Sequence, residues 1–306
     1  MLVSLRTETE LRPSAVFCLL ILALYIPLNG QVSAWSNGGT STEPARPKYG
    51  THDFLAQHAL DWVPSELGFW LHGNLATYLY GTELPDFEDA PGGDGIGDTL
   101  KHHVYFGIDG QVKDDSSARR AQESFDRVLG YLVSKDYANA AKWMGVTSHY
   151  IDDLAVFGHV MGKITIWGEE RHHDDYETWV DTITDRYNTT FASCLSFDGS
   201  LEPTQVQKTA FAIAIDLAHD TTFDDTCKGH SAAWMDANYD THDTTFRMRT
   251  CELLNHAVNA VADAIYLAAH TANIDEFHSG NIAPMIFVCF AIVLVAMRAA
   301  QSRKIN

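Results

Sequence analysis

Cysteine is scarce in this chain, basic residues are few, and runs of alternating strand character are missing. Five cysteines in 306 residues do not make a disulfide-dense scaffold. Cys18 and Cys289 fall in apolar segments, leaving Cys194, Cys227 and Cys251. Three thiols allow one internal bridge, and the sequence does not say which pair forms it. None has C-x-x-C spacing, so a thiolate zinc site is disfavoured. Lysine and arginine total 21 against 40 acidic residues, a formal charge of −19. A surface that acidic repels phosphate backbones, which argues against tight binding of duplex nucleic acid. The length suffices for a full core. With helical periodicity throughout, the expected class is all-α, a single compact multi-helix domain.

What the chain does have is histidine paired with carboxylate. His149 and Asp153 are four residues apart and share a face if the stretch is helical, and the same holds for His173 and Glu177. His159 lies between the two pairs. Imidazole and carboxylate without cysteine is the donor set that zinc and similar borderline ions accept at a catalytic site.

Both ends carry membrane signals. Phe17 to Leu28 is apolar, follows Arg6 and Arg12, and is succeeded by the small residues of Val32-Ser-Ala34, the pattern of a secretory signal over 1–34. Cleavage after Ala34 leaves Trp35 as the new N-terminus, whose amino and carbonyl groups can chelate a metal in a five-membered ring. Ile282 to Met297 is uncharged and precedes Arg298, Arg303 and Lys304. That pattern predicts a transmembrane helix over 281–298 and a short basic cytoplasmic tail over 299–306. The expected product is an exported body, 35–280, held at the cell surface by its C-terminus.

In chain order, Thr51 is the expected N-cap of a helix carrying His52, and a second helix runs from Ser65 to Tyr80 and stops at Gly81. A loop dense in glycine and carboxylate, holding Asp86, Asp89, Asp94 and Asp98, then delivers the chain to His102-His103. Of two adjacent histidines only one is expected to be a ligand. Ser116 to Ser134 and Asp136 to Leu154 read as amphipathic helices, as does a stretch from about Glu170 through Ile183. Val206 to Ala218 and Thr245 to Ala272 are further helical stretches. Asn188-Thr-Thr is a glycosylation sequon, and His219, His230 and His242 have no ligand spacing.

Taken together, these residues resemble the zinc-dependent phospholipase C family, whose superfamily includes single-strand-specific zinc nucleases. The resemblance rests on Trp35 as mature N-terminus, on His149-x-x-x-Asp153 with His159 six residues later, and on His173-x-x-x-Glu177 running on as Val-Asp-Thr-Ile183. It covers about 35–185. It implies three zinc ions, one held by Trp35, His52 and Asp153, a second by Asp86, His103, His149 and Asp153, a third by His159, His173 and Glu177. His103 is preferred to His102 because the following Val-Tyr resembles the family's apolar-Tyr pair, and Asp89, Asp94 or Asp98 could stand in for Asp86.

The implied activity is phospholipase C-type hydrolysis of a phosphodiester, with metal-activated water as nucleophile and Asp86 as general base. In the headgroup pocket Phe87 stands at the first aromatic position and Leu100 where a second would be, with Gly38 in place of an acidic residue, which puts choline selectivity in doubt. No C-terminal lipid-binding β-domain like that of the clostridial toxins is expected. Alternatives with the same metals are a single-strand nuclease or nucleotidase and a non-catalytic zinc-stabilised surface protein.

Overall fold

The computed structural model describes residues 41–184, 189–201 and 209–274. The apolar segments near 17–28 and 282–297, Trp35 and the Asn188 sequon lie outside them. Among the described residues no helix is long and apolar enough to cross a membrane.

Helices dominate: α1 (Thr51–Ala59), α2 (Ser65–His72), α3 (Leu75–Glu83), α4 (Ser116–Ser134), α5 (Tyr137–Asp152), α6 (His173–Thr184), α7 (Thr189–Ala192), α8 (Ala210–Phe223), α9 (Ala232–Ala237) and α10 (Thr244–Thr271). The centre is α5, flanked by α3 and α4 and touched by α1, α2, α8 and α10. Every residue from Met144 to Asp152 is buried, so this helix shows no solvent stripe over its second half. Its neighbour α4 is amphipathic in the ordinary way, burying Ala118, Ala121, Phe125, Val128 and Leu132 at helical spacing. Side-chain caps fix several helix starts: Asp136 accepts from Asn139 N, and Asp243 from Phe246 N.

Several expectations need correction. Gly50, not Thr51, caps α1, and its N–H donates to the Asp53 carboxylate at 3.0 Å. The stretch Ser65 to Tyr80 is two helices broken at Gly73-Asn74, and the second runs through Gly81 rather than stopping there. Gly81 is a crossing point: a Cβ on it would stand 2.1 Å from the Lys142 carbonyl oxygen, and one on Gly145 2.1 Å from that of Tyr78. Those two glycines let α3 lie directly on α5. Short strands are present as well. β1 (Tyr105–Phe106) pairs antiparallel with β2 (Val112–Asp114) around a turn at Gly107–Gly110, too short a hairpin to leave a periodic signal in sequence.

The three body cysteines resolve into one disulfide, Cys194–Cys251, with Cys227 exposed and unpaired. It ties the loop after α7 to α10 across a sequence separation of 57, a closure that in the chain-entropy picture contributes about 4 kcal/mol.

Candidate metal centre

Two carboxylates and a set of imidazoles meet where α5 ends. At that point the α-helix gives way to a 3-10 turn, Asp153–Ala155, which leaves Asp152 and Asp153 on either side of the His52 ring. Asp153 is the hub. Its carboxylate lies 3.0 Å from His102 Nδ1, 3.2 Å from His149 Nε2, 3.4 Å from His52 Nε2 and 3.5 Å from His159 Nε2. Burial opposes its charge, yet the surrounding imidazoles of His149, His159 and His102 hold it well below the usual carboxylate range.

Each imidazole is delivered by a different local device. His52 sits in the first turn of α1, stacked on His149 with ring centroids 4.0 Å apart. His149 Nδ1 donates to the Thr82 carbonyl at 2.6 Å, one of the last carbonyls of α3 and therefore without a partner inside its helix. A carbonyl can only accept, so the Nδ1–H tautomer is fixed and the Nε2 lone pair faces Asp153 and Asp86. His159 rides on the 3-10 turn Phe157–Val160, where its own carbonyl accepts from Val104 N. On α6, helical spacing brings His173 Nε2 to 2.8 Å from Glu177 Oε1. The backbone N–H groups of Arg171 and His172, just ahead of α6, are held by the Asp236 carboxylate.

Sequence placed His103 in this cluster; the structure places His102 there. His102 ends a 3-10 turn, Thr99–Lys101, and from there burial alternates, so that His102, Val104 and Phe106 are buried while His103 and Tyr105 are only partly so. His103 stacks on Tyr105 and lies 3.3 Å from Asp114, outside the cluster. Asp86 is where it was expected, 3.4 Å from His102 Nδ1 and 3.7 Å from His149 Nε2. Asp98 stands behind His102, 3.6 Å from its Nε2, and is itself engaged by Tyr150 Oη and Arg120 Nε at 2.6 Å each. Asp94 pairs with Lys142 on the surface, and Asp89 is exposed. Phe87 is half-buried against the core, and Leu100 is 79% exposed.

These atoms form three groups able to hold metal ions: His52, Asp86 and His149; His102, His149 and Asp153; His159, His173 and Glu177. Within each, the donor atoms lie within 4.8 Å of one another. The site is also short of hydrogen bonds. Both oxygens of Asp153, Nε2 of His102 and of His159, and Oε2 of Glu177 are buried without one. A buried polar group left so is costly unless something else satisfies it, and a divalent cation suits nitrogen and oxygen donors arranged this way. Burial disfavours the cationic form of His52 and His102, but neighbouring carboxylates outweigh it, and both are pushed up to about 10. His173 is likewise raised to about 10 by Glu177 and Glu170 against burial. Protons hold these rings where a metal would otherwise neutralise the carboxylates.

The fold as a whole is similar to that of proteins of known structure. The alpha toxin of Clostridium absonum superposes with a TM-score of 0.50 at 14% identity, covering 78% of this chain and 66% of that one. The alpha toxin of Clostridium perfringens from an avian strain superposes with a TM-score of 0.46 at 13% identity, covering 76% and 65%. The chain thus spans slightly less than two thirds of the length of these toxins. No protein-family model and no curated protein sequence matches it. The fold is that of a clostridial alpha toxin, in keeping with the fold that the resemblance in sequence implied.

Proposed function

We propose that this chain is a zinc-dependent phosphoric diester hydrolase that cleaves phospholipids in the phospholipase C manner. One observation carries the reading: three imidazole–carboxylate groups converge on one buried carboxylate, Asp153, in the fold of a clostridial alpha toxin. Three ions would be held by His52, Asp86 and His149, by His102, His149 and Asp153, and by His159, His173 and Glu177, with Trp35 completing the first. Zinc bound here supplies Lewis acidity toward phosphoryl oxygens and lowers the pKa of water to near neutrality.

The chain's own residues do the rest. Asp86 is 20% exposed at its side chain, whereas Asp153 is fully buried. Asp86 is thus the carboxylate that reaches both the cluster and the solvent side, and it accepts the proton of the attacking water. The fixed tautomer of His149 and the i,i+4 pairing of His173 with Glu177 keep the donors oriented without rearrangement during turnover.

A lipid substrate is supported by exposed apolar side chains on the segments that carry the ligands. Leu100, Ile108, Val112, Ile164 and Ile166 are exposed large apolar side chains in the two segments that border His102 and run between His159 and His173. The two segments meet where the Tyr105 ring lies over Gly162. Exposed apolar side chains of this size favour an aggregated lipid over a polyanionic strand. Export through 1–34 and anchorage through 281–298 belong to the same proposal and would hold the enzyme at its substrate.

The test is metal content of the purified protein together with hydrolysis of phosphatidylcholine vesicles and of single-stranded DNA. Close to three zinc ions with chelator-sensitive release of phosphorylated headgroup is the expected result. Nucleotide release alone would move the site to the nuclease branch of the superfamily. Bound zinc with neither activity would make it structural, and no bound metal would end the reading.

A further inference from the structure

Three histidines of the centre are each backed by a carboxylate on the side away from the cluster. Asp98 stands behind His102, Glu170 lies 3.3 Å from His173 Nδ1, and Asp152 lies 3.8 Å from His52 Nδ1. Asp98 and Glu170 are both partly exposed. Asp152 differs from them. Its side chain is fully buried, neither of its oxygens makes a hydrogen bond, and its ion-pair partner is the His52 imidazole. A carboxylate kept in the core on those terms does not serve packing, because burying a charge without full hydrogen bonding costs stability.

We propose that Asp152 is a positioning residue for metal binding: its carboxylate, facing Nδ1 of His52, favours the proton on that nitrogen and so leaves the Nε2 lone pair toward Asp153, Asp86 and His149. The geometry leaves His52 little other freedom. Its ring is stacked on that of His149 at an interplanar angle of 18°, and the consecutive residues Asp152 and Asp153 address its two nitrogens from opposite sides. A carboxylate behind a ligand imidazole fixes ring orientation and raises ligand basicity, and loss of such a group weakens metal binding about 10–100-fold. The inference rests on the metal-centre reading above and extends it to a residue outside the ligand set.

The experiment compares the full-length protein with Asp152→Asn, alone and in a His52→Ala background. Zinc affinity is read by competition with a chromophoric chelator, and the thermal midpoint is read on zinc-free samples. The expected result is that one ion of the set binds about 10–100-fold more weakly in Asp152→Asn while the others are unchanged. With His52 already replaced, the substitution lowers neither zinc affinity nor the zinc-free midpoint any further. A residue that served packing would instead lower the zinc-free midpoint by an amount that persists without His52. Unchanged zinc affinity in Asp152→Asn, with the wild type loaded, would overturn this inference and leave the proposed function standing. A wild-type protein that takes up no zinc would overturn both.

Discussion

Replacing Asp153 by asparagine removes one negative charge from the point on which four imidazoles converge, at distances between 3.0 and 3.5 Å. In the zinc-free protein at neutral pH, His52 and His102 are cationic, since each is raised to about 10. At an effective dielectric near 20 a pair at that separation interacts by roughly 5 kcal/mol before desolvation is counted. The loss is partial, because His52 retains Asp152, and His102 retains Asp98 and Asp86. Breaking a buried pair by removing one partner costs about 3–5 kcal/mol, and that is the expected loss of unfolding free energy. Urea denaturation at pH 7 in the presence of a chelator measures it, and a parallel melt should shift by roughly 10 °C. The pH dependence has a definite sign. A histidine raised from 6.5 to about 10 contributes stability that is complete below 6.5 and is lost as the pH climbs through about 10. Asp153, held low, stays ionised across that window. The gap between wild type and Asp153→Asn should therefore narrow from pH 7 toward pH 10. A gap below about 1 kcal/mol at pH 7, the range of an ordinary surface substitution, or one that widened with pH, would refute the electrostatic reasoning.

Two further outcomes follow from the geometry. Gly145→Ala drives a methyl to 2.1 Å from a backbone oxygen that cannot rotate away, so it should cost about 3 kcal/mol or more in chemical denaturation. A loss under about 1 kcal/mol would mean that α3 and α5 can part without penalty. Ile164→Ser with Ile166→Ser should lower hydrolysis of phospholipid vesicles several-fold and leave hydrolysis of a short-chain monomeric phospholipid unchanged. Equal effects on the two substrates would place those residues outside lipid contact.

The sequence made some of this legible because helix periodicity carries its own ruler. Spacing of four between His149 and Asp153, and between His173 and Glu177, holds wherever a helix forms, and the structure brings both pairs together. Asp86 comes from the family resemblance alone, with Asp89, Asp94 and Asp98 as alternatives, and the loop brings Asp86 to the cluster. The choice between His102 and His103 depends on where a 3-10 turn ends ahead of a strand of two residues, and neither gives a periodic signal. Gly81 looked like a stop because glycine ends helices often, whereas here its missing side chain serves contact with a helix sixty residues on. Non-local demands of that kind are invisible until the partner surface is known. Asp152 was passed over for a related reason: its role depends on the far side of a ring supplied by α1.

The burial of so much charge explains why packing and chemistry share one helix. From Met144 to Ser148, α5 presents small and apolar residues, and the glycine contact with α3 lies there. One turn later the same buried face carries His149, Asp152 and Asp153. Because α3 is pressed against α5 at Gly81 and Gly145, its final carbonyls reach the site, and Thr82 takes the Nδ1 proton of His149. The chain then leaves α3 three residues before Asp86. The close approach of two glycine-bearing helices therefore sets both the orientation of one imidazole and the place from which the loop carboxylate enters. A core packed this tightly does not deform gradually. Displacing α3 by the width of a methyl group would move a ligand's hydrogen-bond partner and the proposed general base together, so damage at Gly145 should reach the metal centre even though that residue offers no side chain to it.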